Sequence, residues 1–386
     1  MINRPFKSLR RLVGVLAFGL FAAGAALAAP VTVTDIMGRE VTLPAPAKRI
    51  ILAQGRQLNA LGLIHPDPIS LLVGWGSDYK RQNSDAYARH RDKFPAIDSI
   101  PNVGDGATPA GFSLEKAVTL APDLVIFNRS IAESSNESGN VIERLEAAGI
   151  PVVVIDFFLH PLQDTVPSLR ILGRLLGRED QAESYIHFYE ERRQRISSRL
   201  ESVSRPSVFM HAHAGGYECC QSPGQGTFND FIMAVGGRNI AAALLPGATG
   251  QISLERLVAE GPDVYIATGG THLTKSGGLV LGLGISHETA AQSFAAQLSR
   301  PGINMLSAIE SKRAYGLWHL FNDTPMHIVA IELLAKWIHP EIFADIDPQS
   351  TWREISTRFS AIPLDGTFWI DPAENNASPA GLPSKP

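Results

Sequence analysis

From residue 31 to residue 43, apolar and polar positions alternate around Met37-Gly38, the period-two pattern of a half-buried hairpin. Short apolar runs then predict buried strands at 49–53, 69–73, 124–127 and 152–156. Between them, 55–63, the run after Ser113 and 141–148 carry helical spacing. Strands alternating with helices predict a mostly parallel sheet. A helix is expected over 164–177, stopped by Gly177, and a longer one over 179–203 that places Ala182, Ile186, Tyr189, Ile196 and Leu200 among many charges. The longer one would reach about 37 Å, more than one lobe needs, and reads as a rod between two lobes. Alternation resumes with strands at 207–211, 264–268 and 279–284, a strand and loop over 314–321, and helices from Asn229, before Pro301 and over 325–337. Beyond Trp369 the chain is rich in Pro, Asn, Ala and Ser, and 371–386 is expected to be disordered.

Within this pattern a fourteen-residue segment occurs twice. Residues 113–126 return as 253–266 at a constant offset of 140, with seven of fourteen positions identical. Each copy reads as a Ser-opened helix, a Pro-Asp turn and an apolar strand. Each places one exposed acid, Glu115 or Glu255, in the first helical turn. A helix dipole favours an acid there by a few tenths of a kcal/mol. That accounts for either glutamate alone better than for both at equivalent positions. Two α/β halves with matched acidic knobs point to a bilobed protein that docks a partner of two-fold character.

The first residues read as an export signal rather than as part of the fold. Arg4, Lys7, Arg10 and Arg11 precede an apolar run over 12–27, and Ala26-Leu27-Ala28 offers the small residues of a cleavage site. Residues 1–28 are therefore expected to be removed near Ala28. The run is short for a spanning helix and lacks a charged stop. Arg10-Arg11 leaves general secretion and twin-arginine export both open. Loss of four positive charges takes the formal net charge from −4 to −8. That balance argues against nucleic acid and anionic membrane as partners. The two cysteines, Cys219 and Cys220, are adjacent and form no disulfide framework. They either close an eight-membered disulfide ring in an oxidising compartment or stay as thiols.

Ligands of open α/β sheets bind at the carboxyl ends of the strands. The loops there carry Gln54, Arg56, Trp75, Tyr79, Arg81, Asn128 and Arg129 in the first half. In the second they carry His211, His213, Tyr217, Gln225, Thr271, His272, Trp318 and His319. Rings for stacking and guanidinium forks for oxygens suit a bulky, partly aromatic, anionic ligand. His211 and His213 would face the same side of a strand, with Cys219-Cys220 near enough in sequence to add sulfur, so direct metal binding stays an alternative. No nucleophile elbow, phosphate loop or zinc-protease helix is present, and no enzyme activity is expected.

The chain resembles the class III substrate-binding proteins of ABC importers, the family that carries ferric siderophores, haem and cobalamin. The resemblance rests on Val33-Thr34-Asp35-Ile36-Met37-Gly38-Arg39-Glu40-Val41, on the Ser-Leu-Glu…Pro-Asp segments and on Leu172-Gly173-Arg174-Leu175-Leu176-Gly177-Arg178. It also rests on Ala330-Ile331-Glu332-Leu333-Leu334-Ala335-Lys336-Trp337-Ile338-His339-Pro340-Glu341 with Phe343. It implies an N-terminal Rossmann-like α/β lobe over 29–178, a single rigid linker helix over 179–204 and a second such lobe over 205–370. The ligand cleft lies between the lobes. It further implies a monomeric periplasmic carrier with no intrinsic cofactor, delivering a small-molecule metal chelate to an inner-membrane permease dimer and its ATPases. Glu115 and Glu255 match the family's permease-docking positions. A ferric siderophore is the preferred cargo, with haem, cobalamin or a bare transition metal on His211 and His213 as alternatives. The pocket expectation comprises Arg56, Trp75, Tyr79, Arg81, Arg129, His211, His213, Tyr217, Trp318 and His319.

Overall fold

The structure, a computed structural model, describes residues 1–2, 29–135 and 141–373. Apart from Met1 and Ile2, the expected signal peptide lies outside the described residues, as does the expected tail beyond residue 373. Asp371 is tied to the body: its Oδ2 accepts the Trp337 indole N–H at 2.9 Å.

The entry pattern folds as the antiparallel hairpin β1 (Val31–Thr34) and β2 (Glu40–Leu43). Asp35 organises its turn by accepting the Met37 and Arg39 backbone N–H groups, with Gly38 at φ +80°. A fully parallel sheet follows, built from β3 (Ile50–Leu52), β4 (Leu72–Gly76), β5 (Asn102–Gly104), β6 (Leu124–Asn128) and β7 (Val152–Ile155). Its order is β5-β4-β3-β6-β7, so the first strand is central. Both faces are covered by helices, and the continuous apolar runs of β3, β6 and β7 are buried throughout.

The second half contributes β8 (Ser207–His211), β9 (Gln221–Pro223), β10 (Arg238–Asn239), β11 (Thr249–Gln251) and β12 (Val264–Gly269). After these come β13 (Gly282–Leu283), β14 (Ala314–Trp318), β15 (Gly366–Thr367) and β16 (Trp369–Ile370). Its main sheet runs β10-β8-β12-β14-β16, parallel except for β16 at the edge. Two small antiparallel ribbons, β9 with β11 and β13 with β15, stand outside it. The molecule thus has two α/β lobes, as expected.

The repeat has a structural reason. In each copy the serine caps the helix: Ser113 Oγ accepts the Lys116 N–H and Ser253 Oγ the Arg256 N–H. In each copy the aspartate of the Pro-Asp turn clips the start of the neighbouring strand. Asp123 Oδ2 accepts the Lys48 and Arg49 N–H groups ahead of β3. Asp263 Oδ2 accepts the N–H and hydroxyl of Ser207 at the start of β8. The motif therefore sets which strands pair, β3 with β6 and β8 with β12.

Three expected elements differ. The strand at 69–73 is a 3₁₀ turn over Pro68–Leu71, because Asp67 caps it through the Ser70 N–H, and β4 begins only at Leu72. Of 279–284, only β13 is extended, and it pairs with β15 rather than with the main sheet. The long helix is Glu179–Ser197, nineteen residues and about 28 Å. It ends where the backbone ladder tightens to three-residue spacing, Arg199 N–H donating to the Ile196 carbonyl and Leu200 N–H to the Ser197 carbonyl. Its buried face carries Ala182, Tyr185, Ile186, Phe188, Tyr189 and Ile196. Gly173 of the preceding helix, Pro161–Leu176, lets Ala182 approach where a side chain would collide. The Tyr185 hydroxyl donates to the Pro325 carbonyl at 3.0 Å, and Tyr189 meets His327 Nε2 at 2.7 Å.

Glu332, on helix Ile328–Ile338, is 2 % exposed, with Arg192 Nε 3.9 Å from its carboxylate. Burial raises its pKa to about 7, opposed only partly by Thr351 and Arg192. An acid with a raised folded pKa contributes stability that is present below its unfolded pKa and lost as pH rises through the folded one. Thermal melts at pH 5 and pH 8 are expected to show Glu332→Gln stabilising the protein at pH 8 by on the order of 2 kcal/mol, with much less gain at pH 5.

Candidate ligand-binding cleft

Parallel strands in both sheets bring their carboxyl ends to one cleft of about 360 Å³. From the first lobe, Arg56 follows β3, Gln82 ends the short helix Asp78–Gln82 after β4, and Phe158 follows β7. From the second, Ala212, His213 and Tyr217 follow β8, His272 follows β12, and His319, Leu320 and Asn322 follow β14. Gln221, Ser222 and Thr249 of the β9–β11 ribbon close one side.

Three imidazoles gather there. His213 Nδ1 lies 3.0 Å from His272 Nε2, and the His213 and His319 ring centres are 3.7 Å apart. His213 reaches the cleft because its backbone turns left-handed at φ +50°, held by its N–H to Thr268 Oγ1. His319 Nδ1 pairs with Thr268 Oγ1 at 2.8 Å and its Nε2 with the Asn322 amide nitrogen at 3.3 Å. The amide can only donate, so Nε2 accepts and Nδ1 carries the proton. His272 Nδ1 is buried with no hydrogen-bond partner among the described residues. Burial lowers all three pKa values, aided for His213 and His319 by the neighbouring imidazoles. His213 falls to about 4, and His319 falls well below the usual range. At neutral pH the cluster is uncharged, and with His319 Nε2 taken by Asn322 a free lone pair remains on the His213–His272 pair.

Arg56 is the cleft's cation, and it is already shared. Its Nε lies 3.2 Å from Asp78 Oδ2 and 3.3 Å from Asp323 Oδ2, both carboxylates being buried. Asp78 also accepts the N–H groups of Gly55 and Arg56. Desolvation nevertheless outweighs the guanidinium and raises both acids, Asp323 to about 6.

Of the ten residues expected from sequence, Arg56, His213, Tyr217 and His319 line the cleft. Tyr217 is 56 % exposed at the rim and meets His213 edge to face. Trp75 is core, within β4, against the rings of Tyr79 and Tyr87. Tyr79 is fully buried, its hydroxyl held by Asn59 and His90. Trp318 closes β14 and packs against Phe321 and Phe368. Arg81 is engaged by Ser77 and the Asp105 carbonyl, and Arg129 by Asp164, Glu133 and the Ile36 carbonyl; neither lines the cleft. His211 also stays outside it, with Nδ1 paired to the Tyr265 hydroxyl at 2.8 Å. The strand ends at His211, so the same-side rule does not extend to His213 and the two histidines point to different neighbours. Phe158, at the end of a strand legible from sequence, was within reach of the strand-end rule. Gln221, Ser222 and Thr249 were not, because nothing in the Gly-rich loop marks the ribbon.

Residues 64–317 match the family model described as periplasmic binding protein. The chain belongs to that family. It is 25 % identical over 257 residues to the molybdate-binding protein MolA of Haemophilus influenzae, covering 61 % of this chain and 67 % of MolA. It is 26 % identical over 231 residues to the Fe(3+) dicitrate-binding periplasmic protein FecB of Escherichia coli, covering 60 % and 69 %. The solved TroA-like periplasmic binding protein FepB from Veillonella parvula shares the fold at a TM-score of 0.81 and 24 % identity, over 89 % of this chain and 99 % of that one. Members of the family are periplasmic, non-enzymatic components of ABC transporters that hand small molecules to a permease and its ATPase. No described helix is long and apolar enough to cross a membrane.

The protonation state is directly measurable. A proton NMR titration of the imidazole C–H signals is expected to place the His213 midpoint near pH 4, more than two units below a free imidazole.

Proposed function

We propose that this periplasmic binding protein captures a metal chelate, a ferric chelate by preference, whose metal keeps coordination positions open for cleft imidazoles. The three uncharged histidines at the junction of the lobes carry this reading: neutral imidazole is the ligating form, and its lone pair suits iron, nickel and copper. The cleft imidazoles do not make a closed site for a bare ion. Among the described residues, the only group of three whose ligand atoms all lie within 4.8 Å of one another is His211, Cys219 and Cys220. A cargo that brings most of its own donors fits a cleft of about 360 Å³ better than a naked cation does. The kinship with an Fe(3+) dicitrate-binding protein supports iron. The partly neutralised Arg56 suits a chelate of low net charge.

The rest of the reading is the carrier's architecture. Helix Glu179–Ser197 serves as the rigid link between lobes bounded at about residues 178 and 205, and residues 1–28 as a cleaved export signal. Glu115 and Glu255 dock one permease subunit each. Both are exposed, and each has an exposed valine one turn on, Val118 at 44 % and Val258 at 40 %. The repeat thus presents the same acid-plus-apolar patch on both lobes.

Calorimetry with ferric dicitrate and with the ferric complex of a tetradentate bis-catecholate tests the cargo. One of them is expected to bind one to one, with His213→Ala and His319→Ala each weakening it at least about tenfold, or 1.4 kcal/mol. Binding should hold from pH 7 to about 5 and fall below that as the imidazoles protonate. Affinity indifferent to both substitutions would contradict imidazole ligation. For docking, the double variant Glu115→Lys, Glu255→Lys is expected to keep full chelate affinity while uptake in reconstituted vesicles falls at least about tenfold.

A further inference from the structure

Beside the cleft, at the end of β8, a second set of donors is gathered. Cys219 and Cys220, joined as a vicinal disulfide, sit with His211 so that one ligand atom from each lies within 4.8 Å of the others. The arrangement is built rather than incidental. His211 is 4 % exposed, and its Nδ1 pairs with the Tyr265 hydroxyl at 2.8 Å, which fixes the ring's orientation. Cys220 is fully buried, and its backbone is pinned in both directions to Ile252, each N–H donating to the other's carbonyl at 3.0 Å. Cys219 is half-buried, giving the pair an approach from solvent. The Arg300 guanidinium is near enough for its charge to act on both His211 and Tyr265.

We propose that His211, Cys219 and Cys220 form a metal site distinct from the cleft, which binds one Cu(I) ion when the cysteine pair is reduced and none when it is closed. A disulfide's sulfurs are poor donors. Two thiolates and one imidazole are a soft set that selects a thiophilic d¹⁰ ion, and three ligands suit the low coordination numbers of Cu(I). Opening needs a dithiol donor. A thiolate of the donor attacks the accessible Cys219 sulfur and expels the Cys220 thiolate. The donor's second thiolate then displaces Cys219. Two electrons enter the broken S–S bond, the donor leaves as a disulfide, and two protons reach the cysteines. Cu(I) binding then releases those two protons and leaves the site with one net negative charge. The chain between this site and the cleft is short: Gln221 and Ser222, the next two residues, line the cleft.

Protein reduced with a water-soluble phosphine, which is oxidised to phosphine oxide as water supplies the two protons, is desalted without oxygen and titrated into the Cu(I)–bicinchoninate complex. Reduced protein is expected to withdraw one equivalent and oxidised protein none. The double variant Cys219→Ser, Cys220→Ser should withdraw none after the same treatment. His211→Ala should withdraw copper at least about tenfold more weakly, whereas His213→Ala should match the native protein. Copper-edge X-ray absorption of the loaded native protein should show two sulfurs and one nitrogen, a readout independent of whether any variant folds. Equal uptake by oxidised protein, uptake by the serine variant, no uptake by reduced protein, or a shell without sulfur would each overturn the proposal.

Discussion

One guanidinium shared by two buried carboxylates joins the lobes at the cleft. Arg56 stands at the carboxyl end of the central strand of the first sheet, and Asp323 follows the last parallel strand of the second. Asp78 holds the turn that presents Arg56, and Gln57 adds a second link by donating to Asp323 at 3.3 Å. An isolated buried charge is costly, and removing one member of such a set typically costs about 3–5 kcal/mol. The three groups therefore constrain one another, and they fix Arg56 and His319 on the same cleft floor. Other ties join the halves nearby: Asp85 accepts from Thr271 and from the Leu283 N–H, and Lys93 donates to the Ala361 carbonyl.

The chemistry of the cleft follows from that cross-link. Because Asp78 and Asp323 occupy Arg56, the cleft offers little free positive charge. What it offers instead is imidazole nitrogen, amide and hydroxyl. Burial keeps His213, His272 and His319 neutral, and their closeness reinforces this, since each protonation would disfavour the next. The sequence suggested stacking faces and guanidinium forks for an anion. The folded arrangement puts neutral imidazoles where the proposed metal chelate would sit.

Much of the scaffold could be read in advance because its signals are local. The β-branched run of β7, the Ser caps and the Pro-Asp turns dictate their elements wherever they occur, and the repeat at offset 140 marks the two lobes. Site residues were legible where a strand end and a side-chain direction coincided, as at Arg56 and His319. Trp75, Tyr79 and Trp318 failed that test. They lie near strand ends in the chain, but their large apolar rings gain more from burial against Tyr87, Phe321 and Phe368 than from facing solvent. The parting of His211 from His213 depends on a left-handed residue that no spacing rule anticipates. The ribbon carrying Gln221 and Thr249 depends on pairing across nearly thirty residues of irregular chain.

The account turns on whether protein nitrogen reaches the metal of the cargo. Iron-edge X-ray absorption of the protein loaded with a ferric chelate addresses this directly. At least one imidazole nitrogen in the first shell, with the outer-shell scattering of its ring, is the predicted result. An iron environment identical to that of the free chelate would contradict it.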